Sequence, residues 1–431
     1  MRILYFHQYF CTPEGNSGIR SYEMARHLVE NGHRVTMVFG ESPRLKSPLI
    51  DIPYKKGTRR GKYEGIDLIE FDLHYNNRMG LIRRSIVFLK YSLRSIRLIF
   101  KEDFDLAFAT STPITTGIPG IIMKSFGRKK SFVFEVRDLW PELPREMGVI
   151  KNKFTLWALE ILESLSYNKA DACVALSPGI EKGIRKKLKT NKPVYLIPNG
   201  CDLELFKPGH HPKTIFPGCN SNNFIAVFIG AHGIANGLDA ALDAAGALKR
   251  ERNSSHIKIV LIGDGMIKPH LVKRAREENL DNVIFLDPVP KKHLLNYLWA
   301  ADAGLMLLAN IPAFYYGTSP NKFFDYISSG LPVLNNYPGW LAEMITENNL
   351  GVAVKPDNAK DFADALMAMS ADRPGLEIMR RNVRTFAENQ FDRKKLAIAL
   401  ENAFVTTLDN KKNQIIETSE PLTLKSVKSK L

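Results

Sequence analysis

Lys322 and Asp325 stand one helical step apart in the stretch YYGTSPNKFFDYISSGLPVL, residues 315–334. Ser319 is a favourable helix cap and Pro320 suits a first helical position, with Thr318 able to shift the cap by one residue. A helix is therefore expected over 320–329, stopped by Gly330. A helix amino terminus carries partial positive charge, so a lysine in its first turn is mildly unfavourable unless an anion is bound there. Asp325, three residues on, lies on the same face. An ammonium with a helix dipole suits a phosphate, and a carboxylate beside them suits sugar hydroxyls. The plain alternative is a Lys–Asp pair on a helix face.

A second concentration of charge is FEVRDLWPELPREMG, where Arg137 and Asp138 follow directly on the apolar run 131–136. The carboxyl end of a strand is where open α/β sheets place ligands. Otherwise the two form a surface pair while Trp140 packs inward. Gly15 and Gly18 flank Asn16-Ser17 ahead of the helical pattern IRSYEMARHLVENG. Small residues there let backbone N–H groups approach an anion at a helix start. Gly263-Asp264-Gly265 in LIGDGMIKPHL repeats the arrangement, with Asp264 as an alternative helix cap. Short glycine patterns of this kind often mark no more than a turn. The loop 110–120, with its STP and GIPG, could add a further wall to a site. Asp103-Phe104-Asp105 has the spacing of a DxD metal motif. It precedes a strand, at the end away from ligands, and reads as structural.

These residues need strands and helices to hold them. Apolar runs at 2–6, 34–39, 66–71, 105–110, 131–136, 171–176 and 194–198 read as one set of strands. Runs at 224–230, 257–263, 282–286, 303–308, 331–335 and 351–355 read as a second. Helix-length segments alternate with them, which argues for βαβ units and parallel sheets covered on both faces. The segment 197–223 is rich in Pro, Gly, Asn and His, as a linker would be. The expected organisation is a first Rossmann-like domain over 1–198 and a linker over 199–223. A second Rossmann-like domain over 224–385, a crossover helix over 386–408 and a polar, disordered tail over 409–431 complete it. The fold class is thus α/β, two doubly wound parallel-sheet domains facing a central cleft, with C-terminal helices packing back on the first.

The chain has 431 residues and a formal net charge of +15, an excess that favours anionic partners without choosing among them. A nucleic-acid partner is not expected, because no recognised nucleic-acid module is present. Cys11, Cys173, Cys201 and Cys219 show no CxxC spacing and no zinc-like cluster, so no metal site and a reducing cytoplasm are expected. The start, MRILYFHQYF, reads as a strand and not as a signal peptide. No stretch is apolar enough to span a bilayer, since SIVFLKYSL is broken by Lys90. Within residues 82–101, Arg83, Lys90, Arg94, Arg97 and Lys101 share one helical face. Phe88, Leu89, Leu93, Ile96 and Phe100 share the other. The ordinary expectation is that the apolar face packs on the first sheet and the basic face meets solvent. That basic face could still dock on the anionic inner face of a plasma membrane.

Taken in order, GNSGIRSYEMARHLVENGHRV, FEVRDLWPE, VALSPGIEKGI, IPNGCDLELFKP, VFIGAHGIANGLDAALDAA, IVLIGDGMIKPHL, AADAGLMLL and SPNKFFDYISSGLPVL resemble the family 4 glycosyltransferases of GT-B type. The similarity covers about residues 1–408. The resemblance implies retaining transfer of a sugar from a nucleotide diphosphate donor, UDP-linked, with no essential metal or other cofactor. It implies a donor site built from Gly15, Gly18, Gly230, Gly263, Gly265, Gly317, Thr318, Ser319, Lys322 and Asp325. Arg137, Asp138 and Lys322 would serve the reaction, the first two by orienting the transferred sugar. Asp325 falls on the second of two family glutamates and would take the ribose hydroxyls. The first glutamate falls on Gly317, so its carboxylate is missing. The family's pyrophosphate-gripping Arg and Lys fall in GAHGIANG, residues 230–237, which holds neither. Lys322, its helix terminus and Arg137 must then supply the positive charge. These departures resemble a branch that builds bacterial surface polysaccharides from N-acetylated or deoxy sugars. The acceptor would be a polyprenyl-diphosphate-linked or other glycan. A nucleotide-sugar 2-epimerase on the same scaffold, and a non-catalytic basic protein of the membrane surface, are the competing readings.

Overall fold

The computed structural model describes residues 1–15, 18–41, 46–75, 79–251 and 254–419. The first sheet holds β1 (Arg2–Phe6), β2 (Arg34–Gly40), β3 (Thr58–Tyr63), β4 (Ile66–Phe71), β5 (Leu106–Thr110), β6 (Ser131–Val136), β7 (Ala172–Ala175) and β8 (Val194–Leu196). The second holds β9 (Phe224–Ile229), β10 (Ile257–Ile262), β11 (Val283–Leu286), β12 (Ala303–Met306), β13 (Val333–Asn335) and β14 (Gly351–Ala353). The helices of the first half are α1 (Arg20–Glu30), α2 (Leu81–Lys101), α3 (Ile118–Ser125), α4 (Glu142–Glu146), α5 (Lys153–Lys169) and α6 (Pro178–Lys187). Those of the second are α7 (Asp239–Arg250), α8 (Lys268–Glu277), α9 (Lys291–Ala300), α10 (Pro312–Gly317), α11 (Asn321–Ser328), α12 (Trp340–Glu347), α13 (Ala359–Ala371) and α14 (Arg373–Gln390). The long α15 (Arg393–Ser419) closes the described chain.

The strand orders are β3-β4-β2-β1-β5-β6-β7-β8 and β11-β10-β9-β12-β13-β14. In each the order reverses beside the central strand that comes first in that sheet's part of the chain, between β1 and β5 and between β9 and β12. The crevice beyond the carboxyl ends at such a point is where this architecture takes ligands. Strands such as LAFAT and SFVFEV are buried along their whole length. That is why they read as unbroken apolar runs instead of alternating ones.

One strand has no counterpart in the sequence reading. β3, TRRGKY, pairs antiparallel with β4 at the sheet edge. Glu64 and Gly65, with φ of 46° and 82°, make the two-residue turn between them. Its charged residues are what an edge strand tolerates and what hides it from a hydrophobicity reading.

Four further expectations are corrected. Residues 199–223 are more than a linker, because Cys201, Phe206, Phe216 and Cys219 lie in the core beneath the second sheet. The crossover helix starts at Arg393, after α14 has carried through 386–390. It then runs on to Ser419, into the stretch read as a disordered tail. It packs back on the first domain, with Ala397, Leu400 and Phe404 in that domain's core. Lastly, α2 turns the other way. It buries Tyr91, Ser92, Ser95, Leu98 and Ile99 and leaves Ile82, Ile86, Leu89, Leu93 and Phe100 exposed. Arg94 also leaves the basic face, donating to the Gly57 carbonyl at 2.8 Å.

Candidate functional site

The second-domain half of the site is built on α11, which follows β12 at the switch point. Its cap is Pro320, with no side-chain capping bond, so the helix starts one residue later than expected. Ser319 is not the cap. Its Oγ accepts from the Asn199 N–H at 3.1 Å, and its carbonyl accepts from Asn199 Nδ2 at 2.5 Å. Thr318 donates to the Phe314 carbonyl, and its own carbonyl accepts from Trp340 Nε1. Both residues thus hold the approach to the helix.

Lys322 runs under the loop 230–237. Its Nζ donates to Asn236 Oδ1 at 2.8 Å and lies 3.8 Å from the Phe228 ring centroid. Asn236 is fixed in turn by donating to the Ala231 carbonyl. The ammonium therefore occupies the loop that the sequence leaves without a cation. Burial pulls its pKa down to about 7, and no carboxylate pairs with it among the described residues. Asp325 is buried on the same helix and pairs with Lys291 Nζ at 3.3 Å.

Gly230 and Gly263 meet each other beside this lysine, and Gly265 meets His232. At Gly263 (φ 151°) an added Cβ would lie 1.9 Å from the Gly230 carbonyl oxygen. At Gly265 it would lie 2.3 Å from that of His232. The glycines are thus required by two βα loops packing backbone to backbone. Asp264 does not cap α8, whose cap position is Ile267. His232 is fully buried there, with neither ring nitrogen hydrogen-bonded among the described residues, and burial pulls its pKa down to about 4.

Gly317 ends α10 and a Cβ placed on it meets nothing within 4 Å. Gly317→Glu is accordingly expected to fold normally, with a melting temperature within about 2 °C of the parent, as open surface positions allow. A larger drop in thermal unfolding by circular dichroism would show that the glycine is needed for the backbone.

The first-domain half gathers at the carboxyl ends of β1, β5 and β6. The Arg137 N–H donates to Ser111 Oγ at 2.9 Å, and its Nη1 lies 3.4 Å from His7 Nε2. Asp138 Oδ2 accepts from Thr112 Oγ1 at 3.1 Å. Burial raises the Asp138 carboxyl pKa, partly opposed by Arg137 and Thr112. His7 is buried and held well below its usual pKa by burial and then by Arg137, so its imidazole is neutral. Thr112 is held at φ 43°, a conformation that costs energy for a branched residue. Ser111 and Thr112 of the loop 110–120 thus stand beside Arg137 and Asp138. Asp103 and Asp105 stay at the opposite end of the sheet, both paired with Arg2.

The two halves meet. Gly18 comes so close to Asn321 that a Cβ would sit 2.9 Å from its Nδ2. Ser177 Oγ donates to the Tyr316 carbonyl at 2.6 Å. The first βα turn therefore reaches the α11 terminus. Gly15 closes a tight turn, its N–H donating to Thr12; Asn16 and Ser17 fall outside the described residues. Sequence reading missed His7, Asn236, Lys291, His232 and the buried Arg20–Glu135 pair. Only His7 left a trace, as the first residue past a strand.

Two family models match in tandem, Glycosyltransferase Family 4 over residues 18–205 and Glycosyl transferases group 1 over residues 223–372. A D-inositol 3-phosphate glycosyltransferase of Nocardia farcinica is 27% identical over 191 residues, 43% of this chain and 41% of that protein. The chain thus spans about half or less of the length of the curated relatives it matches first. Sucrose-phosphate synthase from Thermosynechococcus elongatus superposes with a TM-score of 0.76 at 16% identity, covering 95% of this chain and 99% of that one. Anabaena HepE in complex with UDP and glucose superposes with a TM-score of 0.67 at 16% identity, covering 94% and 99%. With both family models placed on the two facing sheets in the expected order, the chain belongs to family 4 of the glycosyltransferases and has the GT-B fold.

Proposed function

We propose that the protein is a retaining glycosyltransferase that moves a sugar from a UDP-linked donor to a lipid-linked glycan during assembly of a bacterial surface polysaccharide such as O-antigen, capsule or exopolysaccharide. The observation that carries the reading is Lys322, drawn under the loop 230–237 with no carboxylate among the described residues to neutralise it. Departure of the nucleotide builds negative charge on its terminal phosphate, and a fixed ammonium at a helix amino terminus lowers the barrier to that step. Asp325 takes the ribose hydroxyls. Arg137 and Asp138, across the cleft, orient the sugar. The open space at Gly317 supports an N-acetylated or deoxy hexosamine, whose replaced hydroxyl needs no carboxylate partner. UDP as the carrier is supported by the nucleotide named in the HepE complex.

A donor screen by nucleoside-diphosphate release, with and without a lipid-linked acceptor, tests this. Release that needs both a UDP-sugar and the acceptor is expected. Conversion of a UDP-sugar to its epimer without acceptor would install the 2-epimerase instead. No turnover of any nucleotide sugar would leave only a basic membrane-surface protein.

Access to a lipid-linked acceptor is supported by α2. Its exposed ridge includes Ile82, at 79% exposure, and Ile86, Leu89, Leu93 and Phe100. Arg83, Lys90, Arg97 and Lys101 border that ridge and are exposed as well. On α5, Phe154, Trp157, Ile161 and Leu165 form a second exposed ridge. Apolar residues bordered by cations suit an anionic bilayer surface. Among the described residues no helix is long and apolar enough to cross a membrane. The protein would act from the inner face of the plasma membrane, as a peripheral protein. At about 1 kcal/mol per basic residue near such a surface, Lys90→Glu with Arg97→Glu is expected to weaken binding to anionic vesicles about thirtyfold or more. Co-sedimentation at low and high salt measures it, and unchanged binding would remove α2 from the contact.

A further inference from the structure

We infer that Arg84 is the ligand for the diphosphate of a polyprenyl-diphosphate-linked acceptor, at the lip where α2 overhangs the first sheet. This rests on the lipid-linked acceptor proposed above and adds the side chain that grips its charged group.

The position follows from how α2 is anchored. Tyr91 is fully buried and donates to the Val38 carbonyl at 2.7 Å, near the carboxyl end of β2. Arg84 is seven residues earlier, two turns along the same inward face, and so about 10 Å further toward the helix start. The parallel β4 delivers the chain to α2 at the carboxyl edge of the sheet. Arg84 therefore stands past that edge, on the side where His7, Ser111, Arg137 and Asp138 emerge.

Its surroundings hold it without neutralising it. The guanidinium lies 5.7 Å from the Tyr75 ring centroid. Tyr75 stacks on Phe88 at 5.9 Å and packs on Tyr9 at 4.8 Å. Tyr9 is two residues beyond His7 on the same strand exit. Arg84 Nε is buried and has no hydrogen-bond partner among the described residues. A guanidinium donor buried without an acceptor is costly, and an anion placed there removes the cost. The planar fork of arginine suits phosphate oxygens, and the aromatic plate fixes its orientation in advance.

The ligand is identified by what lies on either side. Ile82 and Ile86, within two residues of Arg84 along the chain, face outward on the exposed ridge. A lipid whose chain stays in the bilayer along that ridge presents its diphosphate at the level of Arg84. Its glycan then extends over the sheet edge toward Arg137 and Asp138. A phosphate-free glycan would leave Arg84 without a partner.

The test compares vesicles of phosphatidylcholine with undecaprenyl diphosphate against vesicles of phosphatidylcholine with phosphatidylglycerol at equal surface charge. The full chain is expected to bind the former at least tenfold more tightly. Arg84→Ala and the longer, neutral Arg84→Gln should both lose that preference. Both should bind UDP as the parent does, which shows that they are folded. Retention of the preference by either folded variant overturns the site. Absence of a preference in the parent overturns the lipid-diphosphate acceptor itself, and the site with it. Displacement by inorganic pyrophosphate as effective as by the lipid would assign the site to a free diphosphate and overturn the lipid assignment.

Discussion

Lys322→Ala is expected to lower kcat/KM by about a hundredfold while leaving the fold intact, since removing one fixed donor to a developing charge costs about 10²–10³ in rate. Two features make the loss large. The loop 230–237 holds no other cation, and the ammonium is fixed by Asn236 and the Phe228 ring instead of swinging in solvent. A pH signature accompanies it. Burial draws the Lys322 pKa down to about 7. A bound diphosphate favours the ammonium and raises that pKa, so binding takes up a proton above neutral pH. Affinity for UDP should therefore fall as pH rises from 7 to 9, by up to a factor of ten per unit. Calorimetry at pH 8 in two buffers of different ionisation enthalpy should show the proton uptake in the parent and none in Lys322→Ala. Full activity in the variant, or binding heats independent of buffer in the parent, would remove Lys322 from the phosphate site.

The fold was legible where one rule governs a whole element. Strands buried on both faces leave unbroken apolar runs, and their alternation with helices carries the topology. β3 escaped because an edge strand is free to be charged. The amphipathic pattern of α2 was legible, but not its orientation. Periodicity divides a helix into faces without saying which one meets the sheet. Here the buried face includes Tyr91 and Ser92, whose hydroxyls donate to the carbonyl of Val38 and to those of Phe88 and Thr115 respectively. The site was legible in part for a related reason. Lys322 and Asp325 announce themselves through local spacing. His7, Asn236 and Lys291 matter through partners distant in the chain, Arg137, Lys322 and Asp325. Ser319 shows the limit of a local rule. It has the right chemistry to cap α11, and Asn199 claims its hydroxyl from across the cleft.

The largest stability effect is expected from Arg20→Met. Arg20 and Glu135 are 2% and 0% exposed and joined at 2.8 Å. Glu135 also accepts from Thr110 Oγ1 at 2.7 Å. The remaining donors of Arg20 reach the carbonyls of Pro198 at 2.5 Å and Ile197 at 2.9 Å, where the chain leaves the first domain. One guanidinium thus ties α1 and β6 to the strand exit that precedes Asn199 and its bonds to Ser319. Arg20→Met leaves a buried carboxylate without its partner, at a cost of about 3–5 kcal/mol. For a domain of this size that lowers the melting temperature by about 10 °C. Replacing both residues, Arg20→Met with Glu135→Leu, removes the orphaned charge and should recover more than half of the loss. Recovery should stay incomplete, because the carbonyls of Ile197 and Pro198 lose a donor in either case. Thermal unfolding of the three proteins decides it. A single variant that melts within about 2 °C of the parent would show that water or another cation reaches Glu135. A double variant no better than the single would place the cost in the carbonyls at the domain exit, making Arg20 first a clasp on that exit and only second a partner for Glu135.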